Sequence, residues 1–260
     1  MQEQYTPGYS VLAVQYMKRR HAQRDAQFFL PHLRSGWSLL DCGCGPGTIT
    51  SGLAQAILPG TVIAVDVGYS QVCLAKECAR AAECPNIRAA TASIYRLPFR
   101  SRTFHAVFSH ALFEHLDDPL EGLREIRRVL QPGGVVGLSS PDWHGSLIAP
   151  PDKAVQATVH QFTSLQIANG GNPYAGAELG KWLEATGFVA IRLSARYDCY
   201  EDPALIIRLM AERIAGQDLS PALPAPAPVN DILAEATEWS RQPAALFAQA
   251  FVEAIAFAPN

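Results

Sequence analysis

Much of the chain alternates between short apolar runs and longer stretches in which apolar residues recur at helical spacing. Residues 39–40, 61–65 and 104–109 form largely apolar runs of strand length, a pattern typical of strands buried on both faces. One helical pattern begins at Thr48 and another at Ser70, the predicted N-cap of its helix. Strands that alternate with helices predict an α/β fold built on a mostly parallel sheet.

The same periodicities extend over the rest of the chain. They predict strands at 86–92, 135–139 and 188–193, and helices at 10–33, 70–82, 120–130, 151–168, 177–186, 203–216 and 230–241. The Pro/Ala-rich residues 220–229 indicate a stiff, extended linker. The last apolar stretch, 251–257, has the length of a strand, although a helix continuing from Pro243 fits almost as well.

The most informative segment is residues 39–48, LLDCGCGPGT. The predicted strand ends at Asp41, glycines follow at alternate positions 43, 45 and 47, and a helix begins at Thr48. Glycine lets a backbone approach a ligand closely, and the free N–H groups of a helix N-terminus attract a carboxylate or phosphate. Because Asp41 is an acid at the same place, we expect the ligand to carry a cationic group as well.

A second acid narrows the choice of ligand. Asp66 ends the next predicted strand, 19 residues after Gly47, and an acid at about this distance commonly binds the hydroxyls of a ribose. The loop itself reads Gly-x-Gly-x-Gly, whereas the dinucleotide fingerprint is Gly-x-Gly-x-x-Gly or Ala. Thr48 stands where that third small residue belongs, which counts against a nicotinamide cofactor.

This combination resembles the first motif of the class I S-adenosylmethionine (SAM) methyltransferases, with Asp66 matching the acid of the second motif. Residues 125–134, EIRRVLQPGG, resemble that family's EIxRVLKPGG phrase. Residues 91–109 resemble its GDAxxLPF…FDVV passage, with Ser93 and Ile94 in the places that contact adenine and His105 in place of an aspartate. The resemblance is specific over residues 37–141 and looser on either side.

The resemblance implies a Rossmann-like, doubly wound sheet of seven strands whose last strand inserts antiparallel between its neighbours. It implies SAM as cofactor, S-adenosyl-L-homocysteine as product and an arginine of the leading helix on the methionine carboxylate, for which Arg20 is the matching position; a solvent-facing Arg20 is the alternative. Tyr9 is our candidate for a lid over the cofactor. The cofactor-binding residues it predicts are Tyr9, Arg20, Asp41, Cys42, Gly43, Cys44, Gly45, Gly47, Asp66, Val67, Ser93, Ile94, Ser109 and His110.

The expected organisation has three parts. Residues 1–34 form an N-terminal lid helix, 35–198 form the SAM-binding core with an acceptor insertion at 142–175, and 199–260 form a helical lid that returns to a final strand. We expect the two lids and the insertion to build the pocket for the methyl acceptor. The aromatic residues expected to line it are Phe113, Trp143, Phe162 and Tyr174.

Two histidines are candidates for a general base. His110 follows the fourth predicted strand, at the sheet edge where ligands collect, and His144 lies in the insertion. Imidazole titrates near neutral pH, but a base is needed only if the acceptor must lose a proton. His115, next to the predicted start of a helix, is expected to have a structural role.

Composition limits the partners. The net charge is −3 and no basic block occurs, so we expect no nucleic-acid partner. No apolar run reaches membrane-spanning length and no leader pattern opens the chain, which predicts a cytoplasmic protein. The six cysteines lack metal-ligand spacing, so we expect reduced thiols and no metal. The expected partners are a small-molecule acceptor and, as one option, a second copy of the chain.

Three functions therefore remain in competition. The leading one is SAM-dependent methyl transfer to an oxygen, nitrogen or carbon of a small molecule. The second is an NAD(P)-dependent oxidoreductase, which Thr48 disfavours. The third is a non-catalytic binding protein of the same fold. It is considered because Ser93 and His105 depart from the family's sequence passage.

Overall fold

The computed structural model of the chain describes residues 5–215 and 229–260. Its strands are Ser38–Cys42 (β1), Thr61–Asp66 (β2), Ile87–Thr91 (β3), Phe104–His110 (β4), Leu130–Ala149 (β5), Val189–Cys199 (β6) and Leu246–Phe257 (β7). Its α-helices are Val11–Lys18 (α1), Ala22–Asp25 (α2), Thr48–Ala56 (α3), Tyr69–Ala81 (α4), Pro119–Val129 (α5), Lys153–Ala168 (α6), Ala175–Ala185 (α7), Pro203–Ala215 (α8) and Val229–Ser240 (α9). Short 3₁₀ turns cover Leu30–His32, Ile94–Arg96 and Phe113–His115.

The seven strands form one sheet in the order β3-β2-β1-β4-β5-β7-β6. The first five strands are parallel, and β7 lies antiparallel between β5 and β6. The predicted fold is therefore confirmed, and the strand alternative for residues 251–257 is the right one. The strand order reverses between β1 and β4, which is where open α/β sheets bind their ligands.

Apolar clusters cover both faces of the sheet. On one face, α5 and α7 pack through Leu123, Ile126 and Leu183. On the other, α3 and the segment after α2 pack through Leu53 and Phe29. A sheet buried on both faces needs strands that are apolar throughout, which explains the runs in β1, β2 and β4.

Strand β5 is much longer than its sequence pattern predicts. The fifth strand begins at Leu130, directly after α5, and continues to Ala149, so residues 142–149 extend the sheet. Its pairing with β7 is interrupted between Asp142 and Leu147 and then resumes. The predicted insertion 142–175 is therefore a strand extension followed by α6 and a loop. Turn residues and polar side chains hid this extension, because sheet pairing overrides local propensity.

The single N-terminal helix predicted at 10–33 is wrong, because the segment is broken into α1, α2 and a 3₁₀ turn. His21 is extended, and its N–H donates to the Asp25 carboxylate over 2.8 Å. The two pieces also pack in different places. Ala13 of α1 joins a cluster with α8, whereas Ala22 of α2 and Phe29 join the cluster on the sheet. One apolar stripe in the sequence thus serves two separate surfaces.

Three other boundaries differ in detail. Helix α4 begins at Tyr69 after Gly68, so Ser70 is not its N-cap. The predicted helices at 203–216 and 230–241 correspond to α8 and α9, while the predicted linker lies outside the described residues except for Val229.

Within residues 5–215 and 229–260, no helix is both long enough and apolar enough to cross a bilayer.

A buried charge cluster ties the N-terminal segment to the far side of the sheet. Asp25 is fully buried and pairs with Arg24 over 3.0 Å and with Arg196 of β6 over 2.7 Å. Arg196 also pairs with Glu253 of β7 over 3.1 Å. These pairs hold α2 beside the carboxyl end of β4, where His110 lies 3.8 Å from Asp25.

We expect Asp25→Asn to lower the free energy of unfolding by about 3 kcal/mol, because it removes the fully buried acid that pairs with both arginines. Urea denaturation measures this. The control is Glu178→Gln, which breaks an exposed pair with Lys181 and is expected to cost less than about 1 kcal/mol. Equal losses in the two variants would contradict the structural role given to Asp25.

Candidate active site

A cavity of about 200 Å³ lies at the carboxyl ends of β1, β2 and β4. The loop after β1 forms its floor, and the segment from Tyr5 to Arg20 closes over it. This is the position at which the reversal of strand order predicts a ligand. The side chains that reach it come from both halves of the parallel sheet and from the N-terminal segment.

The loop after β1 is fixed by its neighbour β2. The N–H groups of Gly43 and Cys44 both donate to the carbonyl oxygen of Val65, over 2.8 and 3.0 Å. Gly47 has a φ of +81°, and a Cβ at this position would lie 2.9 Å from the Cα of Ala75 on α4. Only glycine meets both demands, so the last glycine allows α3 and α4 to approach each other closely.

Asp66 connects this loop to the end of β2. Its carboxylate accepts hydrogen bonds from the N–H of Gly45 over 3.0 Å and from the N–H of Gly68 over 2.8 Å. Burial raises the pKa of Asp66, and the two N–H donors act in the opposite direction. The carboxylate is therefore held in one orientation at the wall of the cavity.

Asp41 lies deeper in the same wall. It is 3% exposed, and the hydroxyl of Thr50 donates to it over 2.6 Å. Burial raises the pKa of Asp41 to about 7, the Thr50 hydrogen bond lowers it, and the field of Asp66 raises it again. A buried acid beside a second acid favours a cationic ligand group, because such a group stabilises its charged form.

Arg20 supplies the positive charge on the opposite side. Its guanidinium lies 5.3 Å from the centre of the Tyr16 ring, and in the described part of the chain no carboxylate lies within ion-pair distance of it. Burial lowers the pKa of Arg20, but the fields of Tyr16 and Tyr5 outweigh this and raise it. A buried arginine without an acidic partner is suited to bind an anionic group of a ligand.

The comparisons with known proteins agree with this geometry. A profile of the methyltransferase-domain family matches residues 40–138. The chain is 31% identical over 214 residues to an uncharacterized methyltransferase of Schizosaccharomyces pombe, and this alignment covers 76% of the chain and 77% of that protein. The chain belongs to the class I SAM-dependent methyltransferases.

Two solved structures have the same fold. The YcgJ protein of Bacillus subtilis superposes with a TM-score of 0.65 at 16% identity, over 92% of this chain and 99% of that one. The geranyl diphosphate C-methyltransferase of Streptomyces coelicolor, crystallised with S-adenosyl-L-homocysteine, superposes with a TM-score of 0.57 at 16% identity, over 91% of this chain and 76% of that one. SAM is accordingly the cofactor of the methyltransferase described here.

Most of the predicted cofactor residues come together in the cavity. Those that line it are Tyr9, Arg20, Asp41, Cys42, Gly43, Cys44, Gly45, Asp66, Val67, Ser93, Ile94 and His110. Gly47 and Ser109 do not line it. Gly47 acts on the turn itself, through its positive φ and its close approach to Ala75. The Ser109 hydroxyl donates to the carbonyl oxygen of Cys42 over 3.0 Å, and this bond joins β4 to β1.

The two departures from the family passage have separate consequences. The Ser93 hydroxyl accepts a hydrogen bond from the N–H of Tyr95 over 3.3 Å and begins the 3₁₀ turn at the cavity wall. His105 lies outside the cavity, where its Nδ1 accepts from the N–H of Ser38 over 3.1 Å and its ring stacks on Trp37. The replacement at His105 therefore concerns the anchoring of β1 and not the cofactor.

A second, smaller cavity adjoins the first. It shares Tyr5, Met17, Arg20, Ala111 and His115 with the cofactor cavity. Its remaining walls come from α1, from the extension of β5 and from α6 and α8, together with Gln249 and Phe251 of β7. Of the four aromatic residues expected in an acceptor pocket, Trp143 and Phe162 line this cavity, whereas Phe113 lies in the core under the sheet and Tyr174 stacks on His144.

The two candidate histidines occupy different environments. His110 is buried at the cofactor cavity, its Nδ1 has no hydrogen-bond partner, and its Nε2 lies 3.4 Å from Arg196. Burial, Arg20 and Arg196 hold the pKa of His110 well below its usual range, so the ring is uncharged. The His144 side chain is 70% exposed and lines neither cavity.

The cavity residues that the sequence analysis did not propose as site candidates include Tyr5, Gln71 and His115. Gln71 is 1% exposed, and neither its amide oxygen nor its amide nitrogen has a hydrogen-bond partner among the residues that the structure describes. It lies in the first turn of α4, five positions after Asp66. Its closeness to that acid in the sequence could therefore have identified Gln71 as a candidate cofactor-binding residue. A buried amide without partners fits a polar ligand group.

The six cysteines form no catalytic or metal-binding arrangement among the described residues. All six are free thiols, and within residues 5–215 and 229–260 no group of three His, Cys, Asp or Glu side chains is placed to hold a metal ion. Burial raises the pKa of Cys42 and Cys44, which makes both thiols poor nucleophiles.

The raised pKa of Asp41 predicts a pH-dependent stability. Between about pH 4 and pH 7 the folded protein retains a proton that the unfolded chain has released, so its free energy of unfolding falls as the pH rises through this window. In Asp41→Asn this loss is absent. Urea denaturation without ligand should therefore show the variant gaining stability over the wild type from pH 4 to pH 7. The exposed control Asp202→Asn should follow the wild type, and three parallel curves would refute the assignment.

Proposed function

We propose that this methyltransferase transfers the SAM methyl group to a small-molecule acceptor held in the second cavity. The observation that carries the proposal is the junction of the two cavities, which share five residues. A cofactor in the first cavity and an acceptor in the second meet at this junction. The small size of the second cavity favours a small molecule over a protein or nucleic-acid segment.

The residues present fit the cofactor. Asp66 suits the ribose hydroxyls, Arg20 the carboxylate and Asp41 the ammonium group of the methionine part. The unpartnered amide of Gln71 offers a further donor and acceptor on the Asp66 side. When bound, SAM supplies a methyl group made electrophilic by the positive sulfonium.

The remaining work falls to the chain's own residues, which must orient the acceptor and keep water out. The apolar walls of the second cavity, including Trp143, Phe162 and Leu209, exclude water from the junction. Holding two reactants in line can lower a barrier by roughly 7–11 kcal/mol. We therefore expect the rate enhancement to come mainly from positioning the acceptor relative to the methyl group.

The two competing functions receive less support. A nicotinamide-dependent oxidoreductase does not suit the glycine loop, because α3 begins at Thr48 and leaves no third small residue in the fingerprint position. A non-catalytic binding protein does not need a second cavity that shares walls with the first. The acceptor of the geranyl diphosphate enzyme is not carried over, since likeness at 16% identity concerns the fold.

The proposal includes a cytoplasmic setting, in which six free thiols remain reduced. It includes no nucleic-acid partner, because the net charge of −3 gives no electrostatic attraction to phosphates. A homodimer is not required, since both cavities are built within one chain.

Calorimetric titration with S-adenosylhomocysteine tests the cofactor site. In Asp66→Asn an amide NH₂ would face one of the two N–H donors, so both the ribose contact and the loop are weakened. Because a hydrogen bond to a charged group contributes about 1.5–3 kcal/mol, we expect the Kd to rise by roughly 100-fold. Asp202→Asn, in which an exposed acid directly before α8 is changed, should bind as the wild type does. A wild-type protein that is folded and binds neither SAM nor S-adenosylhomocysteine would refute the proposed function.

A further inference from the structure

Two adjacent ionisable side chains lie at the junction of the cavities. Glu114 lines the second cavity, and His115 lines both. They belong to the 3₁₀ turn Phe113–His115, which follows the carboxyl end of β4. Buried charged or titratable groups are costly to retain, so their presence at a junction of two cavities calls for a chemical reason.

The turn is held rigidly. The carbonyl oxygen of Glu114 accepts two hydrogen bonds of 2.9 Å, one from the side chain of Gln166 on α6 and one from the N–H of Asn172. The N–H of His115 donates to the carbonyl oxygen of Leu112 over 2.9 Å. The pair therefore stands at a fixed place on the rim that both cavities share.

The side chains are arranged in series. The hydroxyl of Ser140 donates to Oε2 of Glu114 over 3.1 Å, and Oε1 of Glu114 lies 3.6 Å from Nε2 of His115. The other ring nitrogen, Nδ1 of His115, is buried and has no hydrogen-bond partner within residues 5–215 and 229–260. A neutral imidazole carries one N–H and one acceptor nitrogen. With the N–H on the side of Glu114, Nδ1 is left as the acceptor.

The charges around the pair favour this tautomer. Burial raises the pKa of Glu114 to about 7, against the lowering effects of a backbone N–H, Arg20 and Ser140. Burial and then Arg20 lower the pKa of His115 to about 3, so its ring is uncharged at neutral pH. Among the described residues, Tyr5 and Tyr16 also line this cavity, and the Tyr5 ring lies edge-on to His115 with 4.7 Å between the ring centres.

Much of the rest of the second cavity is apolar, although Tyr16, Arg20, Gln166 and Gln249 also line it. Away from the pair, its walls are mainly aromatic and aliphatic: Ala13, Trp143, Phe162, Ile206, Leu209 and Phe251. The Trp143 and Phe162 rings lie 5.5 Å apart. Such aromatic walls suit a single planar ring, because aromatic rings pack well on one another. The polar edge of that ring would then meet His115.

From this placement we propose that the second cavity binds a small aromatic hydroxyl compound, and that His115 removes its hydroxyl proton while Glu114 receives the proton of Nε2. The inference rests on the proposed methyl transfer. The proton passes from the acceptor oxygen to Nδ1, and the Nε2 proton passes to Oε1 of Glu114. The oxygen lone pair forms the new bond to the methyl carbon, and the sulfur keeps the electron pair of the bond that breaks.

Occupancy of the cavity can be measured without turnover. Trp143 lines the cavity, so its fluorescence should change when a ring binds beside it. With S-adenosylhomocysteine saturating, we expect phenol or catechol to quench the fluorescence saturably, and cyclohexanol to have no such effect. In Trp143→Phe the quenching should be lost, although the chain retains three other tryptophans.

The chemical role is tested with radiolabelled SAM and the same probes. We expect methyl transfer to phenol or catechol and none to aniline, a matched ring that carries an amine. His115→Asn and Glu114→Gln should each lower kcat by roughly 100-fold, the lower end of the range for general base catalysis, with the Kd for S-adenosylhomocysteine unchanged. His160→Asn and Glu121→Gln alter exposed residues of the same types and serve as controls.

The pH profile separates a chemical role from a structural one. Glu114 must be ionised to receive the proton, so kcat should rise as the pH increases through about 7 and then level off. Glu114→Gln should abolish this rise, whereas Glu121→Gln should retain it. A variant that merely distorted the turn would lower kcat equally at every pH.

Each remaining result overturns the inference. Transfer to aniline but to neither hydroxyl probe rejects the acceptor class, as does failure of both hydroxyl probes to bind or react while S-adenosylhomocysteine binds. Wild-type kcat and pH profile in both His115→Asn and Glu114→Gln reject the proton path. If the folded wild type binds no S-adenosylhomocysteine at all, the proposed function fails first and this inference fails with it.

Discussion

The site depends on the carboxylate of Asp66, which accepts the N–H groups of Gly45 and Gly68. These two bonds join the loop after β1 to the end of β2 and fix the carboxylate at the cavity wall. The backbone bonds from Gly43 and Cys44 to Val65 complete the same junction. Without it, the glycine loop would have no fixed position from which to receive a ligand. The depth of Asp41 and the start of α3 both follow from that position.

Around this junction the chain places two cavities that meet. One is made from the strand ends and has acids on one side and Arg20 on the other. The other is made from parts added to the sheet, namely α1, the long β5, α6 and α8. The same sheet edge can thus serve many acceptors, because the added parts change the second cavity and leave the first intact. In this chain they leave an apolar space with Glu114 and His115 at its rim.

The central part of the fold could be predicted because its signals are local. A few adjacent residues are enough to predict each of strands β1 and β2, the glycine turn and the start of α3. The same applies to most residues of the cofactor cavity, which come directly after a strand. Their roles toward SAM remain predictions, but their convergence in one cavity was accessible from strand ends alone.

What escaped prediction depends on contacts distant in the sequence. Arg196 pairs with Asp25, 171 residues away, and Asp25 also accepts the His21 N–H that separates α1 from α2. The extension of β5 exists because β7 pairs with it a hundred residues later. His115 looked structural beside its helix, and only the fold shows it between two cavities. His144 looked well placed in an insertion, yet the strand extension carries it to the surface.

The most direct test is a crystal structure of the chain with S-adenosylhomocysteine. The account predicts the homocysteine part over the loop of Gly43 and Gly45, its carboxylate within hydrogen-bond distance of Arg20, and both ribose hydroxyls on Asp66. The second cavity should then remain open beside the sulfur. A ligand whose sugar lies away from Asp66, or whose homocysteine part fills the second cavity, would contradict it.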